Sequence, residues 1–86
     1  EVKNIRIGIR TEEHDIMTKV RRAKGFLKDR NLVKVSLIFK GREVTHPELG
    51  YEKLEMFRTE LHDVATVETE PKRQGNNLMM ILAPKK

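Results

Sequence analysis

The chain has 86 residues, 18 of them lysine or arginine and 13 aspartate or glutamate, for a net charge of +5, and it contains no cysteine. That length suits one domain with a small core, burying roughly 60% of the surface an unfolded chain exposes, and makes a large enclosed substrate cavity unexpected. The composition excludes disulfides and thiolate metal sites, no apolar run approaches the ~20 residues of a membrane helix, and no secretion signal opens the chain; a cytoplasmic protein with a polyanionic partner is expected.

Val2 to Arg10 (VKNIRIGIR) alternates Ile5, Ile7 and Ile9 with Asn4, Arg6, Gly8 and Arg10, predicting a first strand with one apolar and one basic face. The start at Glu1 instead of methionine suggests a piece of a longer or processed chain. Thr11 to Asp15 (TEEHD) is a polar helix entry whose acidic residues suit the positive end of a helix dipole. His14 lies between carboxylates, but no second histidine follows at ligand spacing, so helix entry is preferred to a metal site. From Ile16 a helical stripe of Ile16, Val20, Ala23 and Leu27 takes over, with Met17 and Phe26 on its margins. At about 100° per residue, Arg21 and Lys28 fall on one polar flank and Lys19 and Arg22 on the other. Gly25 points away from the core, where it costs about 1 kcal/mol relative to alanine. The helix is expected to end near Asp29-Arg30-Asn31.

Val33, Val35, Leu37 and Phe39 alternate with Lys34, Ser36, Ile38 and Lys40, so a second strand runs from Leu32 to a turn at Gly41, between Lys40 and Arg42. Thr45-His46-Pro47-Glu48 predicts a capping box, with Val44 and Leu49 at the positions of a hydrophobic staple. The helix it opens spans His46 to Leu61 with a buried stripe of Gly50, Leu54, Phe57 and Leu61, widened by Leu49 and Met56. Gly50 at its centre implies a close approach to the sheet. The polar face, with Glu52, Glu55, Arg58, Glu60 and Asp63, is mostly acidic; His62 suits the C-terminal end. Val64 to Glu70 is a third strand, Pro71 to Asn76 a loop, and Asn77 to Ala83 a fourth strand, apolar on both faces and therefore central or covered on both sides. The order βαβαββ predicts an α/β (α+β) two-layer sandwich: a four-stranded mixed sheet with both helices on one face.

No nucleophile with a base, no carboxylate pair in a pocket and no metal cluster is visible, and the three histidines sit at three helix ends. A non-enzymatic protein without catalytic residues, metal or cofactor is therefore expected. The cations group away from the second helix: Arg6 and Arg10 on strand one, Lys19, Arg21, Arg22 and Lys28 outside helix one, Lys34, Lys40 and Arg42 on strand two and its turn, Lys72 and Arg73 before the last strand. One broad basic surface would neutralise phosphates. Of these residues Arg6, Arg10, Lys19, Arg21, Arg22, Lys40, Arg42, Lys72 and Arg73 are the candidate RNA contacts. The phenylalanines belong to core stripes, so backbone and shape of a folded nucleic acid would be read instead of stacked bases. The competing reading is a protein-interaction domain using the acidic second helix or an exposed apolar sheet face of Ile38, Leu78, Met80 and Leu82, binding without salt dependence.

The segments EEHD-x-x-TK-x-R (Glu12 to Arg21), FKGRE-x-THPELG (Phe39 to Gly50), VATVETEPK (Val64 to Lys72) and MILAPKK (Met80 to Lys86) together resemble the C-terminal domain of bacterial translation initiation factor three, in order and approximate spacing over nearly the whole chain. The resemblance implies the βαβαββ sandwich, a monomer, and binding to the small (30S) ribosomal subunit through 16S rRNA that blocks joining of the large subunit and supports start-site selection. It implies an N-terminal domain and a lysine-rich linker upstream of Glu1. It points to Lys19, Arg21, Lys40, Arg42 and Lys72 as rRNA contacts, with Arg6 at the basic position of strand one. Three positions depart from the family, which usually carries a basic residue where this chain has Gly25 and Met56, and an arginine where it has Asn76. Arg22, Lys24, Arg58 and Arg73 stand near enough in sequence to replace them; the alternative that the departures imply is a divergent paralogue with a weaker or altered ribosomal role.

Overall fold

The computed structural model describes residues 1–85, apart from the side chains of Glu43 and Val44. The elements are β1 (Val2–Gly8), α1 (Glu13–Lys28), β2 (Leu32–Ile38), a 3₁₀ turn (Gly41–Thr45), α2 (Pro47–Leu61), β3 (Ala65–Gln74) and β4 (Asn77–Pro84). The four strands make one sheet in the order β1-β2-β4-β3. β1 is parallel to β2, and β4 is antiparallel to both of its neighbours. The crossovers through α1 and α2 advance in the same direction across the sheet, so right-handed connections lay both helices on one face, as the element order predicts.

Between sheet and helices lies the core. Ile5 and Ile7 of β1, Val33, Val35, Leu37 and Phe39 of β2 and its continuation, and Leu78, Met80 and Leu82 of β4 are buried beneath Ile16, Val20, Ala23 and Leu27 of α1 and Gly50, Leu54, Phe57 and Leu61 of α2. Both helical stripes are those the periodicity predicts, with Met56 packed at the margin of α2; Leu49, expected to widen that stripe, is exposed instead. Gly50 explains how α2 sits so low on the sheet: a Cβ there would lie 2.8 Å from the Phe39 ring and 3.2 Å from a Leu37 methyl. Gly25, by contrast, faces open space.

β4 decides which apolar residues face outward. Its register pairs Leu78 with Leu37, Met80 with Val35 and Leu82 with Val33, placing all three on the helix side. The expected exposed face of Ile38, Leu78, Met80 and Leu82 is therefore wrong in three of its members. Met79 and Ile81 are the β4 residues that join Ile38 and Leu32 on the open side of the sheet, with Arg6, Lys34 and Lys72 among them. A strand apolar at every position carries no period from which its inner side can be read.

Local hydrogen bonds move several boundaries. β1 stops at Gly8, not Arg10, because the Thr11 hydroxyl accepts the Gly8 N–H at 2.8 Å while the Thr11 N–H donates to the Gly8 carbonyl at 3.1 Å, turning Ile9 and Arg10 out of the strand. The capping box does not form. Thr45 ends the 3₁₀ turn with its hydroxyl donating to the Arg42 carbonyl at 2.8 Å, and His46 takes the N-cap position with Pro47 as the first helical residue. The staple expected of Val44 lies outside the described side chains, as does Lys86 of the last family-like segment.

The expected loop from Pro71 to Asn76 is shorter too. β3 runs on to Gln74, and Gly75 and Asn76 alone join it to β4, with Gly75 at φ +63° in the first loop position. Pro71 is tolerated because β3 is an edge strand, and two register shifts, Val67 to Thr69 and Thr69 to Lys72, accompany it.

Candidate nucleic-acid interface

An open cleft of about 700 Å³ lies at the carboxyl end of β1 and β2. Arg6 and Arg10 reach it from β1 and its turn, Lys19 and Arg22 from α1, and Lys40 from the end of β2, with Thr11, Thr18, Asp15 and Ile38 completing the wall. Parallel pairing makes this convergence possible, since it brings the outgoing ends of β1 and β2 side by side. α1 starts at the same end, so the positive pole of its dipole adds to the side-chain charges. Arg22 lies over the Phe26 ring, 6.0 Å from its centroid, and Lys3 stands over the same ring at 5.9 Å.

The remaining candidates lie outside the cleft. Arg42 is exposed in the 3₁₀ turn, two residues beyond Lys40. Arg21 sits on the outer surface of α1, its guanidinium 3.4 Å from the Thr18 hydroxyl. Arg73 curls back at the hairpin, donating from Nε to the Gly75 carbonyl at 3.0 Å and lying 5.4 Å from the Phe39 ring centroid. The Phe39 N–H in turn donates to the Asn76 carbonyl at 2.8 Å, so the hairpin tip is fastened beside Lys40. Lys72 belongs to the open sheet face, in a row with Met79, Ser36 and Arg6. Three strand spacings separate it from Arg6, roughly 14 Å. Arg58 does not serve the basic surface: its guanidinium bridges Glu55 on α2 and Glu70 on β3.

Reading the sequence for charge overlooks Lys53. Its ammonium donates to the Thr11 carbonyl at 3.1 Å, tying α2 to the turn that forms one wall of the cleft. A single lysine among the glutamates of α2 gives no sign of this, because the partner is a backbone atom 42 residues away.

α1 divides two surfaces of opposite sign. Asp15, Thr18, Lys19 and Arg22 face the basic cleft, whereas Glu13 and Met17, about half a turn round the helix, face α2. There a groove of about 320 Å³ is lined by Glu13, Met17, Glu52, Glu55, Met56, Thr59 and Glu60. The acidic face expected of α2 is thus one wall of a groove shared with α1. Among the described residues no polar or charged side chain is fully buried, no cluster of potential metal ligands occurs, and no helix is long and apolar enough to cross a membrane.

Comparison with known proteins adds a family. The sequence profile described as "Translation initiation factor IF-3, C-terminal domain" matches residues 1–85. Proteins named translation initiation factor IF-3 from Aquifex aeolicus, Geobacter sulfurreducens and Thermus thermophilus are 45%, 44% and 44% identical over 86, 85 and 86 residues. The alignments cover 100%, 99% and 100% of this chain and 49%, 49% and 50% of those proteins, so the chain spans about half the length of the curated relatives it matches.

Proposed function

The chain belongs to the family of the C-terminal domain of translation initiation factor IF-3, and from that premise we propose that it is a non-enzymatic RNA-binding domain of translation initiation. In this reading it works in the cytoplasm, as a monomer and without a cofactor. It binds the small ribosomal subunit through 16S rRNA, keeps the large subunit from joining and supports correct start-site selection.

The observation that carries the reading is the meeting of Arg6, Arg10, Lys19, Arg22 and Lys40 in one open cleft. Lysine supplies a point charge for phosphate, and arginine a planar fork that grips it with two donors. Arg42 and Arg73 extend the cationic surface past the ends of β2 and the hairpin, and Lys72 carries it onto the open sheet face. Ile38 and Met79 give that face apolar contact area but no aromatic platform, in keeping with recognition of a folded backbone. The positively charged end of the domain would face the rRNA and the acidic face of α2 would point elsewhere.

The test is co-sedimentation with purified small ribosomal subunits across a salt series, with an unrelated structured RNA as competitor. Binding is expected to be steeply salt-dependent and resistant to the competitor. Replacing Lys40 and Arg42 by glutamate abolishes it and leaves thermal unfolding nearly unchanged, while Lys19→Gln or Lys40→Gln each lowers the salt slope by about one. Undiminished binding by the double glutamate variant would remove this cleft from the interface.

A further inference from the structure

The groove between α1 and α2 is unlike the rest of this basic molecule. Four glutamates, Glu13, Glu52, Glu55 and Glu60, line it without a single cation, around a floor that includes Met17 and Met56. Both methionines are half-buried and pack against the core, so their side chains are presented from a rigid base. From this combination we infer that the groove docks a basic polypeptide segment of a protein partner, anchored by a long apolar side chain.

The chemistry selects that occupant. Nucleic acid is repelled by four carboxylates. A metal ion is poorly served, since no cluster of potential metal ligands is found among the described residues. The acidic residues of α2 run from Glu52 to Glu60, a rise of roughly 12 Å along the helix. One small cation cannot touch both ends of such a row, but three or four residues of extended chain, at roughly 3.3 Å each, span it. The volume of about 320 Å³ is at the low end of ligand pockets, roughly 300–1,000 Å³, and suits a side-chain anchor better than a whole metabolite. Methionine floors adapt to anchors of different shape. Glu55 already meets Arg58 at 3.4 Å, leaving Glu13, Glu52 and Glu60 as the principal counter-charges. The groove lies on the flank of α1 opposite the basic cleft, so a peptide and an RNA bind at the same time.

The chain's four methionines make the test direct. Labelled methionine methyl groups are followed by NMR while a lysine–leucine peptide is added, with a lysine–serine peptide of equal length and charge as control. Met17 and Met56 are expected to shift saturably with the leucine peptide only, while Met79, on the open sheet face, stays in place. Reversing Glu52 and Glu60 to lysine, both exposed, weakens the peptide at least tenfold and leaves thermal unfolding unchanged, whereas Lys40→Glu has no effect on it. Equal shifts with the serine peptide, movement of Met79 alongside the other two, or silence at Met17 and Met56 would overturn the proposal.

Discussion

A glycine on a helix can be a defect or a necessity, and α1 and α2 hold one of each. Beside Gly50 the Phe39 ring and Leu37 fill the space a methyl group would need, and both are fully buried. Gly50→Ala forces the core to give, at a cost of about 1–3 kcal/mol, offset by about 1 kcal/mol of helix propensity. A net loss of up to about 2 kcal/mol is expected in urea unfolding. Gly25→Ala meets nothing and gains about 0.5–1 kcal/mol in the same assay. Opposite signs for one substitution on two helices would separate packing from propensity; equal signs would contradict the geometry. Arg30 is the third case. It follows α1 at φ +66°, its N–H donating to the Leu27 carbonyl while the Asn31 N–H reaches the Phe26 carbonyl. This left-handed cap suits glycine, and Arg30→Gly is expected to raise stability by about 1 kcal/mol in thermal or urea unfolding. Gly50 and Gly25 are legible in the sequence because a period of 3.6 assigns each a direction. The end of α1 near Asp29 is legible as well, but the left-handed backbone at Arg30 is not, since backbone bonds impose it on a residue with no preference for it.

At the scale of elements, the strands and helices with alternating or helical patterns form in the predicted order, although β1 ends at Gly8 and β2 at Ile38, each two residues before its alternation runs out. The errors gather where two signals compete. Thr45 and Glu48 have the spacing of a capping box, yet a 3₁₀ turn claims the Thr45 hydroxyl first. Pro71 reads as the start of a loop, yet on an edge strand its missing N–H costs no ladder bond, so β3 continues. The same irregularity weakens the strand. β3 carries two register shifts and one free edge, whereas β2 and β4 are paired on both sides. Native-state hydrogen exchange is expected to show β3 amides between Val67 and Lys72 exchanging well before those of β2 and β4. Matching protection across all three strands would mean the shifts do not loosen the edge.

Across the whole molecule, the cations were visible in the sequence but their meeting place was not. Which of them share a cleft depends on the parallel register of β1 with β2 and on the rotation of α1, and neither can be read from charge alone. The same rotation puts the acidic groove half a turn away. Separated charges of this kind orient the domain as it approaches a polyanion, presenting the cleft and turning the groove outward. Glu52→Lys with Glu60→Lys should therefore raise affinity for an unrelated structured RNA several-fold at low salt in a filter-binding assay. No change would show that the acidic wall takes no part in keeping nucleic acid on the opposite side.

The two-residue connection at Gly75 and Asn76 also has a bearing on time. Val2 must find Leu32 across all of α1, and Val33 must find Leu82 across α2 and β3. Such distant pairings are slow because loop closure precedes any reward. β3 and β4, joined by two residues, meet at little entropic cost and form a ladder onto which β2 can dock through β4. The short turn that shapes one edge of the finished sheet is thereby also the place from which its assembly can begin.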